Sequence, residues 1–114
     1  NLRKVNVKKG SATDIPFNDK EFDTVYSSHV IEHIEDDLKA VKEIIRVARK
    51  KALIIVPAGN CDDKNMGTPH LRYYDRVNFK ELITKGTHKI NCEVNLSYHS
   101  HSHINSLIAE IIIK

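Results

Sequence analysis

The chain has 114 residues, 40% of them hydrophobic and 29% charged, with a formal net charge of +3. That length and balance define one folded domain and exclude two independent cores and a disordered chain. Its longest apolar runs, residues 52–58 and 111–113, fall far short of the ~20 residues of a membrane helix, and its basic start leads into no secretory signal, so a cytoplasmic protein is expected.

The chain opens Asn1-Leu2-Arg3-Lys4 and carries its only methionine, Met66, in mid-chain, so it is expected to be processed or a piece of something longer. Val5-Asn6-Val7 alternates apolar and polar residues before Gly10 and predicts a short strand. After a loop through Pro16, Phe22-Asp23-Thr24-Val25-Tyr26 predicts a second strand that enters a turn at Ser27-Ser28-His29. Over residues 36–50, Leu38, Val41, Ile44, Ile45 and Ala48 recur at spacings of three and four, the signature of a helix with one apolar face. Leu53-Ile54-Ile55-Val56 is continuous and largely β-branched, which predicts a strand covered on both faces, stopped by Pro57 and Gly59.

Residues 61–72 have no period and predict a long loop of the kind that often carries function. Asp75 then caps a helix over residues 76–85, ended by Gly86. Residues 90–98 and 104–113 predict two strands joined through a His-rich segment as an antiparallel hairpin. Cys61 and Cys92, far apart in a chain without a secretory signal, are expected as free thiols.

Charge comes in blocks. Arg3, Lys4, Lys8 and Lys9 open the chain, residues 14–37 are acidic, and Arg46, Arg49, Lys50 and Lys51 follow. Acids before the first helix and cations at its end complement the helix dipole. With aromatic residues at 6% and no Trp, the pattern disfavours nucleic acid as the main partner.

Asp14-Ile15-Pro16-Phe17, then Phe22-Asp23-Thr24-Val25, then Val30-Ile31-Glu32-His33 together resemble the second half of class I S-adenosylmethionine-dependent methyltransferases, most closely their small-molecule, type 11 branch. The resemblance continues through the helix ending Ile44-Ile45-Arg46-Val47, the apolar strand and the Pro69-His70-Leu71-Arg72 loop. It implies an α/β fold over residues 1–114 as one partial domain: a truncated Rossmann-like methyltransferase sheet of parallel strands with a carboxyl-terminal antiparallel hairpin. In such sheets ligands bind beyond the carboxyl ends of the strands, and residues 10–17, 27–33 and 57–72 are those ends.

The resemblance further implies S-adenosylmethionine as cofactor, with Ser11 and Ala12 beside the adenine and Ser27, Ser28 and His29 along the methionine portion. Phe17 and His33 are cofactor contacts in this reading. The alternative is that Phe17 anchors its loop in the core and that Glu32 and His33 only fix the turn before the helix. The family usually has Asp where this chain has Ser11, and a hydroxyl is a weaker acceptor than an anion. Nothing here matches the family's Gly-rich first turn or the acidic residue that holds the ribose. The strand at Val5 is therefore expected to lack its family neighbours, and the exposed edge of the Phe22 strand to seek a partner, a second copy or another chain.

His70 is the candidate acid/base residue, because imidazole titrates near neutrality and its loop borders the ligand face. Arg72 is the candidate to hold an acidic substrate, and Tyr73 or Tyr74 to wall the pocket. His29-Val30-Ile31-Glu32-His33 also fits the H-x-x-E-H pattern of zinc hydrolases, but that chemistry requires a helix through both histidines. His99, His101 and His103 alternate on one face, and a solvated turn is the preferred reading over a metal site. The expected function is methyl transfer to a small-molecule acceptor, completed by a second chain or an amino-terminal half. The rival is a non-catalytic methyltransferase-like subunit or binding module.

Overall fold

The structure is a computed structural model that describes residues 5–59, 71–101 and 104–114. Its elements are β1 (Phe22–Ser28), a 3-10 turn (Ile31–His33), α1 (Asp37–Val47), β2 (Ala48–Pro57), α2 (Arg76–Gly86), β3 (Cys92–His101) and β4 (Ile104–Ile113). The four strands form one sheet in the order β1-β2-β4-β3. β1 and β2 are parallel, whereas β4 runs antiparallel to both β2 and β3. The expected α/β class is therefore present, with the parallel character confined to one strand pair and the terminal hairpin inserted against β2.

Helix α1 starts where Asp36 accepts the Lys39 N–H at 3.0 Å, which satisfies one of the donors a helix start leaves open. Its apolar positions Ala40, Val41, Ile44 and Ile45 are buried against the sheet. The helix stops at Val47, three residues before the expected end. Residues 48–51 belong instead to β2, where Ala48 and Lys51 pair with Phe22 and Thr24 of β1. Strand pairing has overridden the helical pattern there. Asp75 caps α2 in a reciprocal capping box with Asn78, each side chain bonding the other's backbone N–H at 2.8 Å. Gly86 is the last residue of α2 rather than its stop, and it lets the two helices cross closely. A Cβ at that position would lie 2.5 Å from Val41 Cγ1.

Both helices pack on one face of the sheet, over Ser27, Ala52, Ile54, Val56, Leu107, Ala109 and Ile111. The opposite face carries Tyr26, Leu53, Ile55, Ile108 and Ile112 at partial exposure, with Glu110 bonded to Lys51 and Asn95 at 3.1 Å each. The Lys51 ammonium, then the Asn95 amide, hold the Glu110 carboxyl below its ordinary range. The expectation that β2 is covered on both faces is thus corrected: among the described residues helices cover one face only. Val5 and Val7 form no strand and are largely exposed, so that expectation is corrected too. Among the described residues no strand lies beside them to take up their backbone hydrogen bonds, and a short strand without a partner does not persist in water. Among the described residues, no helix is long and apolar enough to cross a membrane.

Candidate functional site

The carboxyl ends of β1 and β2 meet the chain returning from residue 71. β1 ends at Ser27, buried on the helix side, and Ser28, half-buried on the other. His29 follows with φ of 57° and donates its backbone N–H to the Ile55 carbonyl at 2.9 Å. A non-glycine residue in the left-handed region is uncommon and is found disproportionately at functional sites. Its imidazole is exposed at the strand end. The 3-10 turn comes next. It runs only from Ile31 to His33, so no α-helix passes through His29 and His33, and the zinc pattern lacks the geometry it needs.

Glu32 is completely buried, and neither carboxylate oxygen has a hydrogen-bond partner among the described residues. Its nearest counter-group is His33, whose Nε2 lies 3.6 Å from Oε2. Burying an uncompensated carboxylate is costly, so such a group calls for a functional account. Sequence reasoning gave Glu32 a turn-fixing role. Only the fold shows that its side chain is enclosed.

The returning segment is fastened to this turn. Leu71 donates its N–H to the Glu32 carbonyl at 3.0 Å. The Arg72 guanidinium donates to the carbonyls of Ile31 (3.0 Å), Glu35 (2.7 Å) and Ile34, and lies 3.6 Å from Asp37 Oδ2. Its hydrogen-bonding edges are thus engaged with the protein itself. Tyr73 is exposed, and its carbonyl accepts from Asn78 Nδ2. Tyr74 is buried and donates its hydroxyl to Asp37 at 2.8 Å; burial first, then the Asp37 carboxylate, pushes its phenol up. Tyr74 also bridges to Ala58, and its carbonyl takes the Gly59 N–H at 2.7 Å. Beside Ala58 and Gly59 opens a recess of about 200 Å³ walled by Arg76 and Tyr98, whose guanidinium carbon and ring centroid lie 4.5 Å apart. Sequence reading missed this pair because it joins α2 to β3.

Ser11, Ala12 and Phe17 sit on a separate loop. The Ser11 hydroxyl is 2.9 Å from Thr13 Oγ1 and accepts the Thr13 N–H at 3.2 Å, and Ala12 packs against the core. Phe17 stacks edge-on with Phe22 at 4.9 Å, at the amino end of β1. Six residue steps of about 3.3 Å separate that end of the strand from Ser28. The next loop residues are tied down by α1: Ile15 N–H donates to Glu43, and Arg46 donates to the carbonyls of Ile15 and Phe17. The structure thus brings Ser27, Ser28, His29, His33, Arg72 and Tyr73 into one region. No hydrogen bond or ion pair joins Ser11, Ala12 or Phe17 to that region among the described residues. His70, Cys61 and His103 lie outside the described residues. Cys92 is a half-buried free thiol. Among the described residues no group of three His, Cys, Asp or Glu side chains is placed to hold a metal.

Residues 1–56 match the family described as "Methyltransferase domain". Ajmaline N-methyltransferase from Rauvolfia serpentina is 45% identical over 53 residues, 46% of this chain and 18% of that protein. The chloroplastic tocopherol O-methyltransferase of Arabidopsis thaliana is 42% identical over 53 residues, again 46% of this chain and 15% of that protein. A SAM-dependent methyltransferase from Aquifex aeolicus shares the fold with a TM-score of 0.71 at 20% identity, over 99% of this chain and 57% of that one. The chain is thus similar to methyltransferase domains over its first 56 residues and shares its fold with a SAM-dependent methyltransferase. It spans less than a fifth of the length of the curated relatives it matches.

Proposed function

We propose that the protein acts in methyl transfer from S-adenosylmethionine to a small-molecule acceptor, and that this chain supplies the half of the site built on the carboxyl ends of β1 and β2. The observation that carries the reading is the convergence of Ser27, Ser28 and His29 with a buried Glu32, whose carboxyl oxygens have no hydrogen-bond partner among the described residues, at the end of a parallel strand pair, where α/β sheets bind ligands. The group fits these residues: its sulfonium and ammonium are cationic, and the buried Glu32 carboxyl has no hydrogen-bond partner of its own among the described residues. When bound, S-adenosylmethionine supplies an electrophilic methyl group. Ser27, Ser28 and His29 line its methionine portion, with His33 beside them, and Ser11 and Ala12 border the adenine side. Phe17 is first a loop anchor.

Methyl transfer depends chiefly on in-line approach. Arg72 serves it as a positioning residue that holds the 3-10 turn, Tyr73 walls the acceptor side, and His70 takes the acceptor's proton where the acceptor is not already anionic. The relatives that act on ajmaline and tocopherol support a small organic acceptor. The outer edge of β1, unpaired among the described residues, supports completion of the site by further protein, either an amino-terminal half or a second chain. Calorimetric titration with S-adenosylmethionine and S-adenosylhomocysteine, with the solution mass recorded at the same concentrations, tests the reading. Saturable binding supports it. No heat up to millimolar ligand overturns autonomous cofactor binding and favours the non-catalytic subunit.

A further inference from the structure

At the end of the sheet opposite the candidate site, about nine residue steps or 30 Å along β2, lies a pocket of about 480 Å³. Its floor is apolar, formed by Ile45, Ala48 and Ile113, and its rim carries Lys20, Lys42, Lys89 and Lys114. Arg46 also lines it but is engaged by Glu43 and Asp19. The four lysine ammonium groups have no ion pair among the described residues. Together they carry +4, more than the net +3 of the whole chain.

Two of these lysines occupy unusual backbone. Lys20 has φ of 55° and Lys89 φ of 71°, and with His29 they are the three non-glycine residues of positive φ among those described. Each is the third residue of a four-residue turn closed by a backbone bond: Glu21 N–H to the Asn18 carbonyl at 3.3 Å, and Ile90 N–H to the Thr87 carbonyl at 2.9 Å. Positive φ at that turn position is normally met by Gly or Asn. Here both turns carry a long cation at a conformation that lysine adopts at a cost.

We propose that this pocket binds an acidic peptide segment that inserts one apolar side chain. α1 and α2 both end at the pocket, so their carbonyl ends and the apolar floor disfavour a small bare anion at the bottom. The occupant is apolar where it meets the floor and anionic where it meets the rim. Four cations from four separate segments call for several spaced carboxylates rather than one headgroup. His88 is the one aromatic ring in the lining, with no Phe, Tyr or Trp beside it, which is little for successive nucleic-acid bases to stack on.

The test is fluorescence anisotropy of the 114-residue chain with a labelled, amidated six-residue peptide of Glu and Asp around a central Leu. Saturable binding is expected, weakened about tenfold (~1.4 kcal/mol) in the Lys20→Gly/Lys89→Gly variant. That variant keeps or raises its thermal midpoint, because glycine accepts the left-handed backbone freely. Loss of two charges elsewhere, in Lys39→Ala/Lys80→Ala, leaves binding unchanged. The proposal is overturned by absent binding, by equal binding of the same peptide with Ser for Leu or of an oligothymidylate, or by a double-glycine variant that binds like the parent.

Discussion

Arg72 offers the sharpest separation between a structural and a substrate-holding role. Its guanidinium spans the carbonyls of Ile31, Ile34 and Glu35, so Arg72→Ala removes three charge-assisted hydrogen bonds and the contact with Asp37. Bonds of this type contribute about 1.5–3 kcal/mol each, and with the side chain 27% exposed water replaces part of each, leaving a loss of about 3 kcal/mol in all. For 114 residues the unfolding entropy is roughly 0.24 kcal/mol/K, so the thermal midpoint falls by about 12 °C. Arg72→Lys, whose compact ammonium cannot span three carbonyls, recovers about a third of that loss. Far-UV circular dichroism melts provide the assay, with hydrogen exchange at the Leu71 amide as a local readout. A midpoint within about 2 °C of the parent for Arg72→Ala would refute the clamp and return Arg72 to the substrate.

Glu32→Gln replaces a buried carboxyl that has no hydrogen-bond partner among the described residues by an amide of the same shape. The midpoint is expected to rise by about 4 °C, close to 1 kcal/mol, while cofactor binding weakens; a fall in stability with binding intact would contradict the role given to this carboxylate. Gly86→Ala drives a Cβ to 2.5 Å from Val41 Cγ1. Overpacking of about 1–3 kcal/mol outweighs the gain in helix propensity, and the Val41→Ala partner should make the double variant less unstable than the sum of the singles in denaturant melts. Glu43 is held below its ordinary 4.5, first by the Arg46 side-chain hydrogen bond and, against burial, by the Ile15 N–H and nearby cations. Its folded pKa lies under its unfolded one, so its stabilisation is complete above about pH 4.5 and is lost as pH falls through the folded value. Acid unfolding of Glu43→Gln should therefore show a shallower pH dependence in that window than the parent.

The helices were legible in the sequence because their signals are local. Asp36 and Asp75 sit at the caps, and Leu38, Val41, Ile44 and Ile45 keep the helical period. The boundary between α1 and β2 was not legible, since Ala48, Arg49, Lys50 and Lys51 suit a helix end and become strand only by pairing with β1. The face of β2 left open by the helices was hidden for a similar reason: an apolar run does not say what covers it. At the candidate site, the position of Ser27, Ser28 and His29 at the end of a strand could be read from the motif. The burial of Glu32 and the Arg72 clamp could not, because the clamp's partners lie 37 to 41 residues away in sequence. The positive φ of Lys20 and Lys89 likewise left no mark, since lysine is not the residue those turns normally announce.

The most direct test of the proposed site is a ¹H–¹⁵N correlation titration of the chain with S-adenosylhomocysteine, which registers even weak binding residue by residue. The account predicts saturable shifts at Ser27, Ser28, His29, Glu32, His33 and Gly59, at the carboxyl ends of β1 and β2. Unchanged spectra at saturating ligand, or shifts confined to the opposite end of the sheet around Lys20 and Lys89, would contradict it.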